Sequence, residues 1–197
     1  MVNNSTANQQ KIVEAARKII VSKGMENLTI REIARELKLT DGALYRHFRS
    51  KREIISLLID DIENTLLTTV DEAAKKSGQP LKKLENIFLS HISYSKQRKG
   101  ISFIIINETL SLKDKSLQRK MFKVINRYLE RIRQILKEGV SAGSFRRNID
   151  ISSSSIVFFG MIQAQVMLWA MSGYQYSFKK MSIEYLLDIF ENGIMLL

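Results

Sequence analysis

Residues 29–51 of the chain, TIREIARELKLTDGALYRHFRSK, decide the fold. Thr29 is a candidate helix N-cap, and Glu32 stands three residues later, which is the spacing of a capping box. Ile33 and Leu37 follow at helical spacing and share one face. This pattern predicts a short amphipathic helix directly after Thr29.

A tight turn at Lys38 and Leu39, with Leu39 directed inward, leads to a second short helix. Thr40 is placed to cap that helix, and Leu44 and Phe48 lie four residues apart on its inner face. Two short helices with a tight turn and a shared buried face are typical of a helix-turn-helix. In that motif the second helix enters the major groove of DNA.

The outer face of the second helix has the chemistry of a DNA-binding surface. Gly42 and Ala43 have almost no side chain, so a DNA backbone or base edge can approach closely. Tyr45, Arg46 and His47 can donate hydrogen bonds to phosphate, and Arg46 can pair bidentately with guanine. The alternative is a helical hairpin with a solvated basic face. Capping, inward spacing and surface chemistry agree with each other, which favours DNA binding.

This stretch resembles the DNA-binding domain of the TetR (tetracycline repressor) family. The resemblance covers residues 10–55 by motif and rests on Ala15, Ala16, Gly24, Thr29, Ile33, Ala34, Gly42, Ala43, Leu44, Tyr45, His47, Phe48, Ser50 and Lys51. Together with the surface chemistry, it predicts a DNA-binding set made of Thr29, Arg31, Lys38, Thr40, Asp41, Gly42, Ala43, Tyr45, Arg46, His47 and Lys51. Many members carry Gly where this chain has Lys38, and Lys in a left-handed turn costs about 1 kcal/mol more than Gly.

Composition limits the class of protein. The chain has 197 residues, of which 45% are hydrophobic, and this is enough for a sizeable core. One proline and nine glycines favour a mostly helical chain, and the absence of cysteine excludes disulfides and thiolate metal sites. Residues 1–10 are polar and show no signal peptide, so we expect a cytoplasmic protein. We predict no cofactor and no metal site.

The net charge of +11 is unevenly distributed. Residues 1–52 contain 11 Lys and Arg against 5 Asp and Glu, as expected of a segment that binds phosphate. Residues 81–150 contain 16 against 6. This second excess is explained by a solvated face, by a general field that attracts DNA, or by a surface for an acidic partner.

The rest of the chain is predicted to be helical as well. Residues 101–110, ISFIIINETL, have strand propensity, but no partner strand exists in the sequence, so we predict a helix there. The fold class is therefore all-α. Residues 1–52 form a three-helix helix-turn-helix domain, and residues 53–197 form a helical domain for effector binding and dimerisation.

The predicted helical domain supplies large apolar side chains with few polar ones, which suits a small hydrophobic effector. The candidate pocket residues are Phe88, His91, Tyr94, Phe103, Asn107, Glu108, Phe122, Met161, Gln163, Met167 and Trp169. The alternative is that the apolar members are ordinary core residues. A lone histidine such as His91 is also more often a core residue than a ligand. If Glu108 faces the pocket, the effector is neutral or cationic.

Residues 151–178 contain no charged side chain. A membrane span would need about 20 apolar residues, and the apolar part is shorter and includes Gln163 and Gln165, so we predict a buried helix and no membrane. In the TetR family two C-terminal helices from each subunit form the dimer. This likeness predicts a homodimer interface that contains Phe159, Ile162, Val166, Leu187, Phe190 and Ile194.

The sequence thus predicts a homodimeric, ligand-responsive transcriptional regulator of double-stranded, palindromic operator DNA. Repression, with release by a small molecule, is implied by the family resemblance and by no particular residue. The alternative is a DNA-binding regulator without small-molecule input, controlled by a protein partner. An enzyme is disfavoured, because the two histidines lie in separate contexts and no nucleophile motif or phosphate-binding Gly loop is present.

Overall fold

The computed structural model is mainly helical and describes residues 4–45, 48–178 and 180–195. They are α1 Asn4–Lys23, α2 Ile30–Glu36, α3 Asp41–Tyr45, α4 Lys51–Lys75, α5 Pro80–Gln97, α6 Ile101–Ser111, α7 Lys115–Ser141, α8 Ile151–Met171 and α9 Lys180–Ile194. A 3-10 turn, Met25–Asn27, separates α1 from α2. An isolated antiparallel bridge joins Phe145 to Met195, and no strand forms among the described residues. The all-α prediction is confirmed, including the helix predicted at residues 101–110.

The described residues group into two compact units. Unit 1 consists of residues 1–64 and 104–122, and unit 2 consists of residues 65–103 and 123–197. The end of α6 and the start of α7 therefore belong with the N-terminal helices. The domain boundary predicted near residue 52 stays a prediction. It divides the chain into two continuous segments, whereas each compact unit combines two separate segments.

The core of unit 1 lies between α1 and the helical hairpin formed by α2 and α3. Ala16 and Ala34 have no exposed surface, and these two small side chains allow close helix packing. The α1 stripe that packs there is Ile12, Val13, Ala15, Ala16, Ile19 and Ile20. Thr29 caps α2 as predicted, because its Oγ1 accepts a hydrogen bond from the Glu32 amide at 3.1 Å.

The turn between α2 and α3 is a Schellman motif. The Lys38 amide donates to the Arg35 carbonyl at 3.2 Å, and the Leu39 amide donates to the Ala34 carbonyl at 2.9 Å. Lys38 takes the left-handed conformation with φ 55°, at the position where Gly is favoured. The inward prediction for Leu39 is wrong, since its side chain is 48% exposed. The inward direction was predicted from the periodicity of α2, but that helix ends before the left-handed Lys38, and Leu39 comes after it.

The core of unit 2 is built on α5, α8 and α9. Phe88, Phe158 and Phe190 come from these three helices and pack edge to face, with ring centroids 5.9 Å and 5.4 Å apart. The helix α8 is long and apolar enough to cross a membrane. The core helix of a folded domain meets the same two criteria, so they do not assign a membrane span. The absence of a membrane partner stays a prediction.

Candidate functional site

The start of α3 is open to approach from outside. Thr40 Oγ1 accepts a hydrogen bond from the Ala43 amide at 3.3 Å, as an N-cap does. A Cβ placed on Gly42 would meet no atom within 4 Å, and Tyr45 is 49% exposed. Leu44 lies between these two residues in the sequence, and its side chain is buried inside unit 1. Leu44 is thus inward and Gly42 and Tyr45 outward, as predicted, whereas Phe48 lies beyond the end of α3 and is half-buried.

The other predicted DNA-binding residues fall into three groups. Arg31 and Lys38 are exposed. Thr29 is exposed but occupied as the cap of α2. Arg46, His47 and the side chain of Asp41 lie outside the described residues, so their predicted roles stay predictions.

Lys51, a member of the predicted DNA-binding set, is engaged within unit 1. Its Nζ lies 2.8 Å from the carbonyl oxygen of Met25 and 3.1 Å from Oε1 of Glu108. Glu108 therefore pairs with the first residue of α4, and nothing in the described contacts places it at an effector pocket. Sequence periodicity misses this pair because 57 positions separate the two residues.

Two further ion pairs join α4 to the segment from α6 to α7. Arg52 Nε lies 2.5 Å from Asp114 Oδ2, and Lys120 Nζ lies 2.7 Å from Asp60 Oδ2. Asp114 also accepts hydrogen bonds from the amides at the start of α7. The Leu117 amide is the first cause, and Arg52 the second, of a pKa of Asp114 below its ordinary value.

A neutral polar pair lies inside unit 2. His91 Nδ1 and Tyr128 Oη are 3.1 Å apart, and the Phe159 ring packs against Tyr128 at 5.2 Å. Burial lowers the pKa of His91 to about 3 and raises the pKa of Tyr128. Both groups are therefore uncharged at neutral pH. Nearby on α5, Tyr94 Oη lies 3.1 Å from Thr65 Oγ1.

The structure gathers only part of the predicted pocket set. Phe88, His91, Tyr94 and Trp169 are buried in unit 2, whereas Phe103, Met161 and Gln163 are half-buried. Asn107, Glu108 and Phe122 belong to unit 1, so they are not part of the unit 2 interior.

Two of the predicted pocket residues lie on exposed sides of their helices. Phe122 is 63% exposed and Met167 is 38% exposed. The buried side of α7 instead carries Tyr128, which lies four residues after the buried Val124. Tyr128 is not among the residues predicted from the sequence. The signal was present, since Leu117, Met121, Val124 and Tyr128 recur at spacings of three and four.

The residues predicted for the dimer interface face inward. Ile162, Val166, Leu187, Phe190 and Ile194 are buried within the protomer, and Phe159 packs against Tyr128. The apolar residues exposed on α8 and α9 are Ile156, Val157, Met167, Leu168, Met171, Tyr185 and Ile189. Because α8 is apolar on nearly all sides, its sequence gives no phase from which to choose between the two faces.

Two open grooves mark the surface of unit 2. One, of about 590 Å³, is acidic and is lined by Glu85, Glu184, Tyr185, Leu187, Asp188 and Glu191. Burial, and then the neighbouring Glu85 and Asp188, raise the pKa of Glu191. The other, of about 340 Å³, lies where the start of α8 meets α9 and includes Asp150, Val157, Met161, Ile189 and Phe190. The described residues contain no cluster of three or more His, Asp or Glu side chains suited to a metal ion.

Comparison with known proteins gives one family for both parts of the chain. Residues 12–58 match the family described as bacterial regulatory proteins, tetR family, and residues 59–190 match the YsiA-like protein, C-terminal region. The chain is 23% identical over 184 residues to the fatty acid metabolism regulator protein of Bacillus subtilis, covering 93% of this chain and 94% of that protein. It is 29% identical over 158 residues to the HTH-type transcriptional regulator SrpR of Pseudomonas putida, covering 78% and 71%.

Solved structures agree on the fold. FadR of Bacillus halodurans superposes with a TM-score of 0.81 at 20% identity, with 97% of this chain and 98% of that chain covered. FadR of Bacillus subtilis, solved in complex with stearoyl-CoA, gives a TM-score of 0.79 at 23% identity, covering 94% and 98%. The matched regions together span residues 12–190, and the chain belongs to the TetR family of transcriptional regulators.

Proposed function

We propose that this protein is a homodimeric, cytoplasmic repressor that leaves its palindromic operator when it binds an effector with a long acyl chain. The observation that carries the proposal is the full-length likeness to the fatty acid metabolism regulator of Bacillus subtilis. The stearoyl-CoA complex of FadR from the same organism supports the class of effector. The open face of α3 supports operator binding.

The interior of unit 2 supports an effector with a polar group as well as a chain. Ser102 Oγ and Gln165 Oε1 are buried and have no hydrogen-bond partner among the described residues. Such atoms are costly unless something satisfies them, and a bound ligand is one way of doing so. Gln165 Oε1 is an acceptor, so the ligand would present a donor to it. This favours the ligand-responsive regulator over the regulator without small-molecule input.

The effector proposal is tested by release of labelled operator DNA, measured by fluorescence anisotropy, with a series of acyl-CoA thioesters of increasing chain length. Long-chain members should release the DNA, and CoA alone should not. Free fatty acids of the same lengths separate the contribution of the chain from that of the head group. If no member of the series releases DNA, control by a protein partner becomes the better interpretation.

The exposed apolar face of α8 and α9 supports a second copy of the chain as the partner. Ile156, Val157, Met167 and Leu168 recur on one side of α8, and space around Gly160 is open. Small residues let facing helices approach closely, and four helices of this kind make a bundle. The opposite, buried face supplies the core of the protomer.

The dimer surface is tested by a charged substitution on its outer side. Val157→Glu should yield monomers, because an ion in an apolar interface is strongly disfavoured. Ser93→Glu, at an exposed position on α5, serves as the control. Light scattering measures the mass of both proteins, and a dimer in Val157→Glu would place the interface on another surface.

A further inference from the structure

The ion pair between Lys51 and Glu108 joins two residues whose sequence-based roles were unrelated. Lys51 follows the helix-turn-helix and belongs to the predicted DNA-binding set, and Glu108 belongs to the predicted pocket set. In unit 1 the Lys51 side chain is 33% exposed and that of Glu108 is 16% exposed. The Met25 carbonyl takes a second hydrogen of the same ammonium. The charge that should attract DNA is therefore already neutralised.

We propose that Glu108 is a positioning residue that restrains DNA binding by keeping the ammonium of Lys51 from operator phosphate. The inference rests on the proposed function, since it needs a protein that binds DNA. It adds a built-in restraint that acts with no effector bound.

Counterion release explains why the pair weakens binding. A cation strengthens binding to DNA by neutralising a phosphate and releasing its condensed counterions. Lys51 cannot do so while its charge is balanced by Glu108. Breaking the pair would leave the mostly buried carboxylate of Glu108 without its cation, and this carries a desolvation penalty. The pair therefore persists and Lys51 contributes little to the bound state.

The neighbouring ion pair, Arg52–Asp114, cannot be removed without affecting the fold. Asp114, which binds Arg52, also accepts hydrogen bonds from the amides of Ser116 and Leu117 and so caps α7. Its carboxylate has a structural task apart from Arg52. For Glu108, the described side-chain contact is the one with Lys51. Its charge can therefore be removed with less consequence for the fold.

Glu108→Gln is the direct test, because glutamine keeps the shape and removes the charge. Operator affinity should rise by about fivefold, the upper end of what one partly exposed ion pair contributes. The slope of log affinity against log salt should steepen by about 0.9, the value for one additional phosphate contact. A change of slope is not expected from a purely structural role. Glu108→Ala gives a second variant with the same expected gain.

Lys51→Met completes the cycle. In the wild-type background this change should leave the salt slope nearly unaltered, and in the Glu108→Gln background it should remove the whole gain. Glu14→Gln changes the net charge equally at an exposed i, i+3 pair with Arg17, and it serves as the matched control.

The outcomes separate this inference from the proposed function. Wild-type binding with no gain in either Glu108 variant, or an equal gain in Glu14→Gln, would overturn the restraint alone. A loss of affinity in folded Glu108→Gln would show that Glu108 assists binding, and it would overturn the restraint too. Absence of any DNA binding by the wild-type protein would overturn both.

Discussion

Two sites, one in each unit, hold their polar groups in opposite ways. In unit 1, ion pairs that are partly open to solvent connect the start of α4 with residues 104–122, as in Lys51–Glu108 and Arg52–Asp114. In the interior of unit 2, neutral groups are bonded to each other out of contact with water, as in His91–Tyr128. The first kind of contact is weakened by salt, and the second depends on packing and on protonation.

This difference matches the division of work expected in a regulator. On a surface that meets DNA, an ion pair within the protein limits how many cations can neutralise phosphate. An interior that receives an apolar ligand benefits from groups that stay uncharged, because a buried charge would be costly. The predictions below test whether the two regions differ in this way, beginning with the largest expected effect.

Removing a ring from the interior of unit 2 should have the largest effect. Phe88→Ala should lower the free energy of unfolding by about 3–5 kcal/mol, because it leaves a cavity among close-packed rings. Leu89→Ala is the control on the same helix, and its exposed side chain should matter by less than about 0.5 kcal/mol. Urea unfolding followed by the fluorescence of the single tryptophan, Trp169, reports on unit 2. Equal losses in the two variants would mean that the burial assigned to Phe88 is incorrect.

Acid should destabilise unit 2 through His91. Its folded pKa of about 3 lies below the ordinary value of 6.5, so the unfolded chain takes up a proton that the folded one refuses. Stability is therefore lost as pH falls below 6.5, by about 2 kcal/mol between pH 7 and pH 5 from this group.

His91→Phe isolates that contribution, because it removes the proton site and leaves every carboxylate in place. Its unfolding free energy should depend less on pH than that of the wild-type protein by the same amount. Parallel pH profiles for the two proteins would show that His91 is accessible to protons in the folded state.

A hydroxyl on the open face of α3 should affect DNA binding and leave stability unchanged. Tyr45→Phe should weaken operator affinity by about tenfold, the value of a hydrogen bond to a charged phosphate. Tyr176→Phe removes an exposed hydroxyl from unit 2 and should bind DNA as the wild-type protein does. Anisotropy titrations measure both, and unchanged affinity in Tyr45→Phe would exclude that phosphate contact.

The smallest expected effect concerns a salt-sensitive contact of unit 1. Lys120 binds Asp60 at 2.7 Å and also the hydroxyl of Ser56. Lys120→Met should destabilise α4 by about 1 kcal/mol at low salt, and by less at 1 M salt, where surface charges are screened. Amide hydrogen exchange in α4 measures this loss, and a loss independent of salt would mean that packing, rather than charge, holds this contact.

The helices and the motif were predictable from the sequence because they depend on local signals. The bounds of α7 follow from the periodicity between Lys115 and Ser141, and Pro80 begins α5 as its fixed φ favours. The face of α3 was predictable because the hairpin buries Leu44 and leaves Gly42 on the other side. The caps at Thr29 and Thr40 could likewise be read from short spacings.

What could not be predicted depends on helix rotation and on long-range contacts. An α8 that is apolar on both sides gives no signal to separate Ile162, which is buried, from Val157, which is exposed. The partnership of Lys51 with Glu108 needs the folded unit 1, because no periodicity connects residues so far apart. The same limit applies to the pocket. A rotation of α7 about its axis by roughly one residue decides whether the side of Phe122 or the side of Tyr128 is buried.

Sequence-specific DNA binding by a dimer is tested most directly by selecting bound sequences from a random pool of duplex DNA. A homodimer that places α3 of each subunit in the major groove should enrich an inverted repeat. Its half-site centres should lie about 10 base pairs, or a multiple of that distance, apart. Enrichment of a single asymmetric site, or no enrichment above the input pool, would contradict a homodimeric operator-binding regulator.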